Sequence, residues 1–174
     1  MTFIHLKTVV VRIQSPLLGV ALATFIIAAC ARGGHPGLQS GGLGLTRSEW
    51  QQLHGSAASQ DSGYVNYNDD RGRFTINFMD GNAGYIKRTY QEPTLVSIED
   101  ARRESRNLMP TDCTLIRTYQ VSAGSVDLYS SESLKSFFPS DEDWLNGEPG
   151  QFIVLYFSEH DFVDSYVVAL GNNP

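Results

Sequence analysis

The sequence predicts an α+β domain, an antiparallel sheet with helices on one face, arranged as two tandem halves that each run helix and then meander. Three observations lead there. Phe74, Ile76 and Phe78 alternate with Arg73, Thr75 and Asn77, the period of a strand with one wet face. Two short helix-start signals, at Thr46 and Ser97, each precede a run of such strands. The order of elements lacks the strand-helix-strand crossovers of a doubly wound nucleotide binder.

Thr46-Arg47-Ser48-Glu49 has the form of a capping box, in which Thr46 accepts from the Glu49 backbone and Glu49 reaches back. Trp50 and Leu53 follow at helical spacing, and Gly55 stands where a helix stops. Strands are then expected at 64–67, 73–78 and 85–90, separated by the turn chemistry of Asn68-Asp69-Asp70-Arg71-Gly72 and Asp80-Gly81-Asn82. The pattern starts again at Ser97-Ile98-Glu99-Asp100. There a second helix collects Ile98, Ala101, Ser105, Leu108 and Met109 near one face and ends at Pro110. Strands follow at 114–120, 125–129, 152–157 and 165–170, with an insertion that carries Leu134, Phe137, Phe138 and Trp144. Phe152-Ile153-Val154-Leu155-Tyr156-Phe157 is apolar throughout, as an interior strand covered on both faces is.

The N-terminus reads as an address. Lys7 and Arg12 precede an apolar run, 17–29, too short for a membrane-spanning helix, which needs about 20 apolar residues. A basic start, an apolar run and small residues at its end form the layout of a signal peptide, here 1–29. The run closes Ile27-Ala28-Ala29-Cys30, which resembles the lipobox of bacterial lipoproteins. That resemblance implies cleavage before Cys30, a diacylglycerol thioether on its thiol, and residence on the outer face of a bacterial membrane. Ala29-Cys30-Ala31 also satisfies the small-x-small rule for ordinary cleavage after Ala31, which releases a soluble protein. Residues 30–44, with six glycines from Gly33 to Gly44, are expected to be a lipidated cysteine and a flexible tether, leaving 45–174 as a single domain.

Removing 1–29 leaves 11 basic against 19 acidic residues, a net charge of −8. Such a domain repels phosphate backbones, so nucleic acid is not an expected partner. The expected partners are the membrane, through lipid on Cys30, and an envelope protein.

The segment Gly44-Leu45-Thr46-Arg47-Ser48-Glu49-Trp50-Gln51-Gln52-Leu53-His54-Gly55 resembles the opening of small lipoproteins of the outer-membrane barrel-assembly type. Two such halves in tandem resemble the plan of the β-lactamase inhibitor protein. These resemblances imply an architecture and a sheet face that grips a partner; no binding residue carries over from them.

Catalytic candidates are few. His54 suits a helix C-terminus, where a cation complements the dipole, and neither it nor His160 stands in a nucleophile motif. Glu159-His160-Asp161-Phe162-Val163-Asp164 and Asn68-Asp69-Asp70 carry potential ligands but not zinc or EF-hand spacing. Asp141-Glu142-Asp143 reads as a solvated helix start, and Cys113 as a packed residue rather than a reactive thiol. No catalytic residue, metal ligand or cofactor is therefore assigned. All eight tyrosines fall in expected strands or at their ends, where they suit either a half-buried pleated surface or an interface. Tyr64, Tyr67, Tyr85 and Arg88 are the expected binding residues, crowded on one face of the first meander. The function expected is a lipid-anchored, non-enzymatic binding or assembly module of the envelope; the alternative is a secreted hydrolase or metal-dependent enzyme.

Overall fold

The computed structural model describes residues 37–94, 96–159 and 162–173; Cys30 and His160 lie outside them. Helix α1 (Arg47–His54) starts at the expected capping box. The Thr46 backbone N–H donates to Glu49 Oε2 at 2.8 Å, and the Glu49 N–H donates to Thr46 Oγ1 at 3.3 Å. Gly55 closes the helix at φ +85°. The described residues form nine strands: β1 (Ser59–Asp61), β2 (Tyr64–Asp69), β3 (Gly72–Met79), β4 (Asn82–Tyr90), β5 (Val96–Ser97), β6 (Thr114–Val121), β7 (Gly124–Ser130), β8 (Gln151–Glu159) and β9 (Phe162–Leu170). Helix α2 (Ile98–Ser105) follows β5, capped by Ser97, and tightens into a 3-10 turn, Arg106–Leu108. Two more 3-10 turns, Leu134–Phe137 and Asp141–Trp144, occupy the insertion between β7 and β8.

All the strands join one antiparallel sheet, ordered β1-β2-β3-β4-β9-β8-β7-β6, with the short β5 also paired to β9. This overturns the expected α+β fold. Among the described residues the sheet dominates, and the two α-helices are eight residues each, too short to form a layer of their own. The two tandem halves fail as separate units for a related reason: β4 pairs with β9, with Ile86 opposite Val168 and Arg88 opposite Tyr166, so the two meanders fuse into one sheet. β8 lies between β7 and β9, as its unbroken apolar run indicates.

The sheet has two apolar faces. The first holds the main core, including Tyr67, Phe74, Ile76, Ile86, Phe152, Val154, Tyr156, Tyr166 and Val168. Trp50 of α1, Ala101 of α2 and Leu108, Leu134 and Trp144 of the three 3-10 turns all pack into this cluster. Val126, Leu128, Ile153, Leu155, Val167 and Ala169 form a second, smaller cluster, to which no described helix contributes a residue.

The domain also begins earlier than expected. Residues 38–44, placed in the tether, are built into the fold: Leu38 and Leu43 are buried, Ser40 bridges Pro110, and Leu43 N–H donates to Leu108 O at 2.7 Å. A side chain at Gly41 or Gly42 runs into the backbone of Asn107 or Leu108. The glycines here permit close approach of two backbones; they do not supply slack.

Candidate functional site

The four expected binding residues divide between the two faces. Successive side chains of a strand alternate, so residues three apart point opposite ways. Tyr64 and Tyr67 are three apart on β2, as are Tyr85 and Arg88 on β4. The register then aligns Tyr67, Phe74, Arg88, Tyr166 and Tyr156 in one row across five strands on the core face. Tyr64, Asn77, Tyr85, Ala169, Ile153 and Leu128 form a row on the other.

Tyr67 and Arg88 are each 1% exposed and hold the core, so they are withdrawn from the binding set. The Arg88 guanidinium lies 4.3 Å from the Phe74 ring centre and 5.3 Å from that of Tyr90. Its Nη2 donates to Asp69 Oδ1 at 3.0 Å. Its Nε stands 3.2 Å from Glu104 Oε1, a charge contact at an angle that does not complete a hydrogen bond. Glu104 also accepts from Arg71 Nη1 at 2.8 Å and from the Tyr90 hydroxyl at 3.1 Å. Burial acts to raise the Asp69 carboxyl, but hydrogen bonds from Arg88 and from the Arg71 and Gly72 backbones outweigh it and hold the group below its usual 3.8. Burial, reinforced by the Glu104 charge, pushes the Tyr90 and Tyr166 hydroxyls well above the ordinary tyrosine value.

A shallow polar pocket opens beside this network, lined by Arg71, Thr94, Val96, Asp100, Arg103, Glu104 and Asn107. Its charges are already matched, Arg71 with Glu104 and Arg103 with Asp100. A second paired site ties α2 to the sheet: Arg102 contacts both oxygens of buried Asp127, at 3.2 and 3.4 Å, and Thr118 Oγ1 donates to the same carboxylate at 2.7 Å. Both arrangements join elements together, and both spend their charged groups on one another.

The groups weighed for catalysis are similarly engaged. The His54 ring stacks on Trp50, centroids 4.2 Å apart, with Nε2 3.0 Å from Gly41 O. It thus ties α1 to the glycine-rich segment. Cys113 packs against the main core, and burial, followed by the charge of Asp112, pushes its thiol up, away from the reactive thiolate. Among the described residues no group of three metal-ligating side chains converges.

Of the four expected binding residues, Tyr64 and Tyr85 remain, both on the second face. Tyr64 is 39% exposed and meets Tyr85, half-buried, edge-on at 5.9 Å. Along the same face the Lys87 ammonium stands 5.6 Å from the Phe157 ring centre and the Arg117 guanidinium 5.0 Å from that of Tyr119. Tyr85, Tyr119, Val121 and Phe157 pack half-buried around the smaller apolar cluster. The face is therefore an aliphatic floor with a rim of aromatic rings and two cations. Sequence reasoning missed Lys87, Arg117, Tyr119 and Phe157; alternation from Tyr85 reaches Lys87, but only strand pairing brings in the other three.

No protein-family model and no curated protein matches the chain. Among solved structures, a cysteine-rich secretory protein from Staphylococcus aureus is similar at a TM-score of 0.37 and 15% identity, over 74% of this chain and 44% of that one, a likeness too remote to bear on fold or activity.

Proposed function

We propose that this protein is a lipid-anchored envelope domain that binds a partner through the second sheet face and performs no chemistry of its own. The observation that carries the anchor is Ile27-Ala28-Ala29-Cys30 at the end of an apolar run, with a packed domain beginning at Leu38 only eight residues later. Two acyl chains or more are what stable anchoring needs, since one binds only marginally, and a lipidated amino-terminal cysteine supplies them. The binding role is supported by the aromatic and cationic rim of Tyr64, Tyr85, Lys87, Arg117, Tyr119 and Phe157, in which the three tyrosines and the arginine are of the type that dominates binding energy at interfaces. His54, Cys113 and the Arg88-Glu104 network are used for packing, which leaves them unsuited to a hydrolase's work.

Detergent phase partition of whole bacterial cells expressing the protein tests the anchor. Wild type is expected in the detergent phase. Cys30→Ser, which removes the acceptor thiol, is expected in the aqueous phase or as an uncleaved precursor. Equal partition of the two contradicts the proposal.

A further inference from the structure

Among the described residues β6 is an edge strand, and a bulge disturbs its pairing with β7: Leu115 pairs with Tyr129 and Arg117 with Leu128, so Ile116 is an extra residue between them. A bulge breaks the strict alternation of a strand, and here two consecutive aliphatic side chains are turned outward. Leu115 is 50% exposed and Ile116 48%. Lone exposed aliphatics are ordinary, but an adjacent pair on an unpaired edge is an exposed apolar step.

The chain enters the domain at the same end. Thr111 N–H donates to Gln39 O at 2.8 Å and Ser40 bridges Pro110, four or five residues before Leu115. From Cys30 to Gly37 is seven residue steps, which span at most about 25 Å when fully extended. A lipid on Cys30 therefore keeps this entry point within about 25 Å of the bilayer surface. Arg117, next to Ile116 in the strand, is exposed, as is Arg106 on the turn after α2. Of the carboxylates nearby, Asp112 accepts from Ser131 Oγ at 2.6 Å and from Ser133 N and Oγ at 2.9 and 2.8 Å, and the exposed Glu132 is paired with Lys135 at 2.7 Å.

We propose that Leu115 and Ile116 form a membrane-contacting step that enters the lipid headgroup region beside the anchor. This rests on the lipid-anchor reading of Cys30 and adds an orientation to it. Two half-exposed aliphatic side chains hold a free protein to a bilayer only weakly. A tether makes the contact intramolecular, at high effective concentration, so a weak contact suffices to fix which end faces the lipid. Six strand spacings separate β6 from β2, about 29 Å along the sheet, so the Tyr64 end of the binding face points away from the bilayer.

The full chain, expressed in a bacterial host and purified in detergent, is reconstituted into vesicles of phosphatidylethanolamine and phosphatidylglycerol. A trace of the phosphatidylethanolamine carries a photoactivatable group on its headgroup. After illumination, peptide mass spectrometry locates the label and intact mass reads the acylation of Cys30. The proposal expects acylated wild type to be labelled chiefly at Thr114–Val121, and the folded Leu115→Asp, Ile116→Asp double variant to lose that label while remaining acylated. An acylated wild type labelled elsewhere, or a folded variant labelled as wild type is, overturns the step and leaves the anchor standing. Should the double variant fail to fold, the wild-type label map alone decides. Protection of β6 by a second copy of the chain in detergent, with no lipid label on it, overturns the step in favour of an edge-to-edge dimer. An intact mass without lipid overturns the anchor and the step together.

Discussion

Arg88 shows how far a single side chain departs from what its type suggests. On a meander strand an arginine beside tyrosines reads as part of an interface, yet it is among the largest fully buried side chains of the domain. Its position three residues from Tyr85 was sufficient to separate the two, since odd spacing on a strand without a bulge means opposite faces, and the register is unbroken between Tyr85 and Arg88. What the spacing does not reveal is which face is inside. That depends on Trp50 of α1 and on Glu104 of α2, brought over the sheet by pairings distant in sequence. Breaking a buried pair by removing one partner leaves an uncompensated charge at a cost of about 3 to 5 kcal/mol. Arg88→Ala strands Glu104, although Arg71 still partners that carboxylate, so a loss near the lower end is expected in urea unfolding. Tyr64→Ala, at an exposed position, is expected to change stability by no more than about 0.5 kcal/mol. Equal effects of the two substitutions would contradict the assignment of faces.

At the scale of elements, the local signals were legible and the long-range ones were not. The capping box at Thr46, the Gly55 stop, the Ser97 cap and the meander strands follow from side chains within a few residues of one another. β1 escaped because Ser59-Gln60-Asp61 is polar and wholly exposed; it exists through pairing with β2, not through any pattern of its own. Residues 38–44 read as a tether because glycine signals both slack and close approach, and only the backbone of Asn107 and Leu108 decides between them. β8 was legible because both its faces are buried: Phe152, Val154 and Tyr156 join one cluster and Ile153 and Leu155 the other. Val154→Ala and Leu155→Ala are each expected to cost about 1 to 4 kcal/mol, the Leu change the more, in denaturant titration. Near-neutral values at both sites would place the strand at an edge.

For the whole molecule, the decisive feature is the β4–β9 seam, which no local pattern announces. Two meanders with helix-start signals suggest two halves; pairing the end of one with the end of the chain makes a single sheet with a face left to the aromatic rim. Stability of this assembly should depend on pH through carboxylates that it holds ionised. Asp69 and Asp112 both sit below their usual 3.8, so what they contribute is present above that pH and is lost as pH falls through their folded values. Asp143 runs the other way. Burial, with Asp80 and Glu142 nearby, raises its carboxyl, so protonation on acidification favours the folded state there. Melting followed across the acid range should therefore show wild type losing its advantage over Asp69→Asn below about pH 4, and a constant difference between them would contradict the pairing with Arg88.

The membrane address is the claim on which the rest of the functional account depends, and one number decides it. The intact mass of the mature protein, purified from bacterial membranes, is predicted to be that of a chain beginning at Cys30 with diacylglycerol added to it. An unmodified chain beginning at Arg32 would contradict the account.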